Sequence, residues 1–428
     1  MTDHSLLLDA PPSDWKSARF NEICDRVQDA ASPSECGQRL YLGLEHLASG
    51  RPALVGHGKE SDVRSGKTSF RSGDVLFGKL RPYLRKSVLV GEDGICSTDI
   101  LVFRATEKCI PEFICLLTHT DEFIGHAKAT TSGVQHPRTS WSGLREFKLH
   151  VPSVAEQRKI ATVLGLVQQA IEQQERLIAL TTELKKALLH KLFTEGLRGE
   201  PQKQTEIGPV PESWEPKQLG VCCDIVSSSM SYTQLFTSEP STDANLISVM
   251  GVKVSDMNLA GNENCFVTAN LIRQLSVAVA RKKAVPPNTI VFPKRGAAIA
   301  TNKKRLATTW TVLDPNLIGV RAKEGLDSRF LFHWLQTFDL RKITDPGPTP
   351  QLNKKDLSPI FMPVPLHIEE QHEIAVSLDQ VDAKIKAHDR KREVLSDLFR
   401  TLLHQLMTAQ IRVNGLEISD FEQEASKE

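Results

Sequence analysis

The chain has 428 residues, 40% of them hydrophobic and 25% charged, with a formal net charge of +1. That length suggests two to four domains, each able to bury a core, in an ordinary soluble composition. No apolar run reaches the roughly 18 residues of a membrane span, and the N-terminal stretch lacks a basic n-region, so a cytoplasmic protein without a signal peptide is expected.

Taken in chain order, the first half opens on "PPSDWKSARFNEICDRV" (11–27). Short apolar runs follow: "DVLFGK", "SVLV", "DILVFRA" and "FKLHVP", bounded by Gly, Pro and charge, predict strands. "PEFICLLTHTDEFIGHA" has helical spacing, as does "SRFLFHWLQTFDLRKI" in the second half. Eight cysteines, at 24, 36, 96, 109, 115, 222, 223 and 265, form no Cys-x-x-Cys pair. They read as free thiols in a reducing compartment, and no His cluster has zinc spacing.

The second half repeats the first. "PPSDWKSARFNEICDRV" returns as "PVPESWEPKQLGVCCDIV" (209–226), setting Trp15 on Trp214, Phe20 on Leu219 and Val27 on Val226. "RSGDVLFGKLR" (71–81) returns as "PPNTIVFPKRG" (286–296), and "DILVFRA" (99–105) as "NLIGVRA" (316–322). "LREFKLHVPSVAEQ" (144–157) returns as "LSPIFMPVPLHIEEQ" (357–371). The offset then settles at 214 residues, and two long helices end alike in Leu-Leu-His-x-Leu.

Those helices carry an apolar stripe stepping by four and three, a 3.5-residue repeat that marks a coiled coil. The stripe is Ile160, Leu164, Val167, Ile171, Ile178, Leu188 and Leu192 in the first helix. In the second it is Ile374, Leu378, Val381, Ile385, Leu395, Phe399, Leu402 and Leu406. "SVAE" (153–156) predicts a capping box, with Ser153 accepting from the first turn and Glu156 reaching back. A single helix of this kind could pack on its own globule, but two matched helices of about 60 Å are too long to lie wholly on one. The second globule starts where one helix ends and finishes where the next begins, so antiparallel pairing avoids stretching it.

The whole chain, from about residue 11 to 408, resembles the specificity (S) subunit of a type I DNA restriction-modification system. "YLGLEHL" (41–47), "GDVLFGKLRPYL" (73–84) and "STDILVFRA" (97–105) carry the likeness. "VPSVAEQRKI" (151–160) and its twin "PVPLHIEEQHEI" (363–374) carry most of it. The second half has no Tyr-x-Gly-x-Glu-His; "LISVMGVKVSDM" (246–257) corresponds to it only as a strand. The resemblance implies an α+β protein, two mixed α/β target-recognition domains joined by two long antiparallel coiled-coil helices in a pseudo-two-fold repeat. The domains would be 1–152 and 199–366, the helices 153–198 and 367–410, with a tail at 411–428. It also implies double-stranded DNA as ligand, a bipartite asymmetric site, two docked methyltransferase subunits and, through them, restriction subunits. The chain itself would bind no cofactor; S-adenosylmethionine, ATP and Mg would belong to the partners.

Residue patterns for catalysis are missing. There is no Asn/Asp-Pro-Pro-aromatic tetrapeptide for a flipped base, since "DPNL" (314–317) lacks the second Pro and the aromatic. Gly66-Lys67-Thr68 resembles the end of a phosphate loop but position 61 is Ser. The Glu183-Leu184-Lys185 sequence on the first long helix reads as solvated helix charge. No metal site is expected, and the chain is not expected to be an enzyme.

Charge distribution points to DNA more than net charge does. Residues 217–366 sum to +7 and residues 367–428 to −5. From Asn264 to Leu313 there is no acidic residue. Arg273, Arg281, Lys282, Lys283, Lys294, Arg295, Lys303, Lys304 and Arg305 all lie there, candidates for phosphate contacts. The first half has a shorter counterpart in Lys79, Arg81, Arg85 and Lys86. Two polar loops offer side chains suited to base edges: Gln135, His136 and Arg138 in 130–141, and Gln351 and Asn353 in 344–356. The bland alternatives are unrelated surface charge and ordinary Gly/Pro turns. Two other functions stay open: the S subunit of a stand-alone methyltransferase or another restriction system, and a coiled-coil scaffold that binds only protein.

Overall fold

The computed structural model describes residues 6, 11–238, 245–344, 350–413 and 415. Two compact units emerge, one running to Glu175 and resuming at Asp389, the other Arg176–His388. The helices expected as separate segments are thus shared, half of each belonging to each unit.

In the first unit Lys16–Arg19 pairs antiparallel with Lys148–Val151, so the start and end of the globule close on each other. A four-stranded sheet follows the order Cys24–Val27, Ile100–Ala105, Val75–Gly78, Ser87–Leu89. All four predicted runs are strands. The central two bury nearly every side chain, which is why they read as unbroken apolar runs instead of alternating ones. A second, five-stranded sheet contains Leu40–Leu42 and Gly94–Cys96. The helix predicted across 111–127 is two, Pro111–Leu117 and Asp121–Ala129. Thr120 breaks it, because its hydroxyl caps the second helix by accepting from Phe123 N–H at 3.3 Å.

The second unit repeats this plan. Trp214–Gln218 pairs with Phe361–Pro365. Cys223–Val226, Leu317–Ala322 and Ile290–Pro293 are consecutive strands of the corresponding sheet, which has five. Its helix Ser328–Thr337 likewise stops short, followed by the 3-10 turn Leu340–Ile343 capped by Asp339. The likeness goes further than the strand match expected at 246–257. Leu40–Leu42 leads into the 3-10 turn Leu44–His46, and Leu246–Val252 into Val254–Asn258. Both strands run parallel to a partner, and both end by accepting a backbone bond, Leu42 from Ser97 and Val252 from Asp314, each at 3.0 Å.

The long helices are Val154–Glu195 and Ile368–Met407. In the first unit Ile160, Leu164 and Ile171 share one core with Phe399, Leu403 and Leu406, with Val167, Leu395 and Leu402 packed on it. In the second, Leu192 shares a core with Ile374 and Leu378, with Leu188 packed on it. Ile178, Val381 and Ile385 are half-buried. A polar stripe position, Lys185, meets Asp382 at 2.5 Å, both side chains 14% exposed. Ser153 accepts Glu156 N–H at 3.3 Å as expected of a cap. The Glu156 carboxylate is taken up by Trp15 Nε1 at 2.9 Å and by Arg412 at 2.6 Å.

Candidate nucleic-acid interface

In the first unit, the strand Val75–Gly78 runs out into Lys79-Leu80-Arg81, and backbone bonds attach this segment to the polar loop of 130–141. Arg81 N–H donates to Pro137 O at 2.8 Å and Thr139 N–H to Lys79 O at 3.0 Å, around a Leu80–Arg138 bridge. The loop closes on itself through a Ser132–Arg138 bridge, forming a short hairpin whose tip carries exposed Gln135 and His136.

The second unit builds the same clasp from different residues. Strand Ile290–Pro293 runs into Lys294-Arg295-Gly296. Gly296 N–H donates to Pro350 O and Leu352 N–H to Lys294 O, both at 2.9 Å, around an Arg295–Gln351 bridge. The basic segment and the polar loop, bridged across 58 residues of sequence in the first unit and 56 in the second, therefore lie side by side in both copies. Part of the second loop, 345–349, lies outside the described residues. Sequence alone offered the two stretches separately; a pairing of irregular segments leaves no periodic signal.

The structure sorts the candidate cations by what their heads touch. Arg281, Lys282 and Lys283 are exposed in the last turn of helix Val277–Lys283, where the helix dipole favours positive charge. Arg295 is exposed and Lys294 is half-buried, its amine held below the ordinary lysine range by burial and then by Arg295. Arg273 donates to the carbonyls of Ile272 and Phe236. Lys303 is hydrogen-bonded to Asn258 Oδ1.

Lys304 and Arg305 overturn the expectation that the whole basic run faces phosphate. Lys304 is 1% exposed, and its amine donates to Phe338 O at 2.8 Å and to Asn302 Oδ1 at 2.9 Å. Burial pushes that amine down to about 8. Arg305 is 8% exposed and donates to the carbonyls of Lys304 and Met257. Both are structural ties, their heads turned inward onto backbone carbonyls.

In the first unit three of the candidate cations are also occupied. Arg85 pairs with Asp121 and donates to His119 O at 2.9 Å. Lys86 donates to Leu44 O at 2.6 Å. Arg138 forks onto both oxygens of Asp99, at 2.9 and 3.3 Å, which holds that carboxyl below its usual range. Lys79 and Arg81 make no side-chain hydrogen bond or ion pair among the described residues. Gln351, bridged to Arg295, and Asn353 are both exposed. No group of three or more His, Cys, Asp or Glu able to hold a metal occurs among the described residues.

The family model for the type I restriction modification DNA specificity domain matches residues 12–182 and again 211–396. A similar protein is the type I restriction enzyme MjaVIII specificity subunit of Methanocaldococcus jannaschii, 23% identical over 95% of both chains. Two solved structures share the fold. One is the type I S subunit of M. genitalium, with a TM-score of 0.58, 13% identity, and 95% of this chain and 99% of that one covered. The other, from work on assembly and conformational transition of the type I R-M system, has a TM-score of 0.52, 22% identity, and 93% and 98% coverage. With the matched family model falling on both copies of the repeat, the chain belongs to the type I restriction-modification specificity subunits, non-catalytic proteins that supply the DNA specificity of such systems.

Proposed function

We propose that the two units read the two halves of a bipartite, asymmetric site on double-stranded DNA, each through its clasp of basic segment and polar loop. The observation that carries this is the repeated clasp: identical backbone bonding with different side chains. A shared frame gives both heads the same way of meeting DNA, and different side chains give them different bases to read. Lys79, Arg81, Arg281, Lys282, Lys283, Lys294 and Arg295 are the cations for phosphate or base. Gln135, His136, Gln351 and Asn353 are the polar readers.

The long helices, in this reading, form an antiparallel coiled-coil spacer. What supports it is the sharing of cores: the first half of one helix lies with the last half of the other in one unit, and the reverse in the second. The spacer also docks two methyltransferase subunits and, through them, restriction subunits. Those partners hold S-adenosylmethionine, ATP and Mg, and the assembly works in the cytoplasm. We assign the recognition domains to 1–152 and 199–366 and the spacer helices to 153–198 and 367–410; most of the tail, 411–428, lies outside the described residues.

The test is to co-express the chain with its methyltransferase subunits and map methylated bases across the host genome. Two different half-sites separated by a fixed number of unread base pairs are expected. A single continuous motif would overturn the two-head reading, and no DNA binding by the complex would favour a protein-only scaffold.

A further inference from the structure

We infer that Arg81 is a base-reading residue of the first unit, recognising a guanine through its guanidinium fork. This rests on the proposed DNA-reading function and deepens it. Arg81 has φ 51 and ψ 61, the left-handed region. It also precedes Pro82, a position that sterics push towards extended backbone. Non-glycine residues avoid the left-handed region because Cβ crowds the backbone.

The clasp geometry demands that conformation. At the equivalent place in the second unit the chain uses Gly296, at φ +66, with the same backbone bond to its loop. Glycine satisfies the turn at no steric cost. The first unit keeps an arginine there instead, so its side chain has a use that offsets the strain.

That use is not internal. Arg85, four residues on, is also left-handed at φ 49, but its head is tied to Asp121 and to the carbonyl of His119. The Arg81 side chain is exposed and makes no hydrogen bond or ion pair among the described residues. Its backbone, in contrast, is pinned on both sides. Its N–H donates to Pro137 O at 2.8 Å and its carbonyl accepts Leu84 N–H at 2.9 Å. The pin attaches it to the hairpin that carries Gln135 and His136.

A fixed anchor decides between base and phosphate. Phosphate contacts need only a point charge, and Lys79, two residues away, supplies an ammonium for one. A planar fork on a rigid backbone suits two parallel hydrogen bonds to guanine O6 and N7, the commonest specific arginine contact.

The experiment selects a randomised duplex library with the full chain in complex with its methyltransferase subunits, comparing wild type, Arg81→Gly and Arg81→Lys. Wild type should disfavour replacement of one G·C pair in one half-site by about 5- to 150-fold, the range of a good bidentate pair. Both variants should lose that preference while the other half-site is read unchanged. Lysine should keep the dependence on salt, because its charge remains. The melting temperature of Arg81→Gly should stay close to wild type, since relieved strain and a freer unfolded chain act in opposite directions. If both variants keep every base preference and Arg81→Gly merely binds all sequences more weakly, Arg81 is a phosphate contact and the inference falls. If wild type shows no preference at any position, the DNA-reading function itself falls.

Discussion

Lys304 shows how a charged side chain can serve the core of a DNA-binding domain. Its amine closes the 3-10 turn Gly296–Thr301 against the end of helix Ser328–Thr337 through Asn302 and Phe338. Lys304→Ala should therefore destabilise the second unit by about 1–3 kcal/mol, the cost of stranding buried acceptors. It should leave the salt slope of DNA binding unchanged. The paired change of Lys282 and Lys283 to Ala should do the opposite, flattening the slope with little effect on stability. Salt titrations and denaturation of both variants separate the two outcomes, and a flattened slope for Lys304→Ala would return it to the surface. The unbroken run of positive charge was legible in the sequence; which heads face inward was not, because that depends on carbonyls 34 residues away. His119 is a second buried ionisable group. Burial depresses it to about 4, and its Nε2 lies 3.1 Å from Ser87 O. The unfolded chain takes up a proton near pH 6.5 and the folded one only near 4, so stability is present above 6.5 and falls as pH drops through that window. The total is about 3 kcal/mol. His119→Gln should make the stability of the first unit less dependent on pH between 6.5 and 4, measured by denaturant midpoints; an unchanged slope would place the loss elsewhere.

Among elements, the join between globule and long helix is the most closely repeated. Gln157 and Gln371 are both fully buried. Gln157 accepts from Ile110 N–H at 2.9 Å and donates to Pro152 O at 2.9 Å and Lys108 O at 3.0 Å. Gln371 accepts from Asp327 N–H at 2.8 Å and donates to Pro365 O at 3.1 Å and Gly325 O at 3.2 Å. One amide thus locks the first turn of each long helix to its last strand and to the entry of the globule's own helix. Gln157→Leu keeps the apolar stem and strands three backbone groups, a loss of about 3 kcal/mol. Gln371→Leu should cost a similar amount in the other unit. Denaturant midpoints measure both, and an unshifted midpoint would show that water replaces the amide. The Glu-Gln pair was visible in the sequence as a repeated motif, yet its role was hidden because every partner is a backbone group that no sequence pattern marks. The strands were legible as short apolar runs between Gly, Pro and charge, and the long helices by their helical spacing of apolar residues. The clasps were not, being bonds between segments with neither signal.

At the scale of the whole molecule, each long helix is a single continuous element that begins in one compact unit and ends in the other. If the pair is the spacer proposed above, its length sets the gap between half-sites. Lys185 meets Asp382, so in an antiparallel pair Leu180 lies near Ala387. Four residues inserted after each of these positions would lengthen both helices together by about 6 Å. Four residues also make just over one helical turn, so the apolar stripe keeps nearly the same face. With base pairs stacked at about 3.4 Å, the unread gap should grow by one or two pairs. The bases read in each half-site should not change, because neither clasp is touched. Methylation mapping in a host expressing the lengthened chain with its partner subunits measures both quantities at once. A preserved gap with altered half-sites would place spacing in the globules and refute the helices as a ruler.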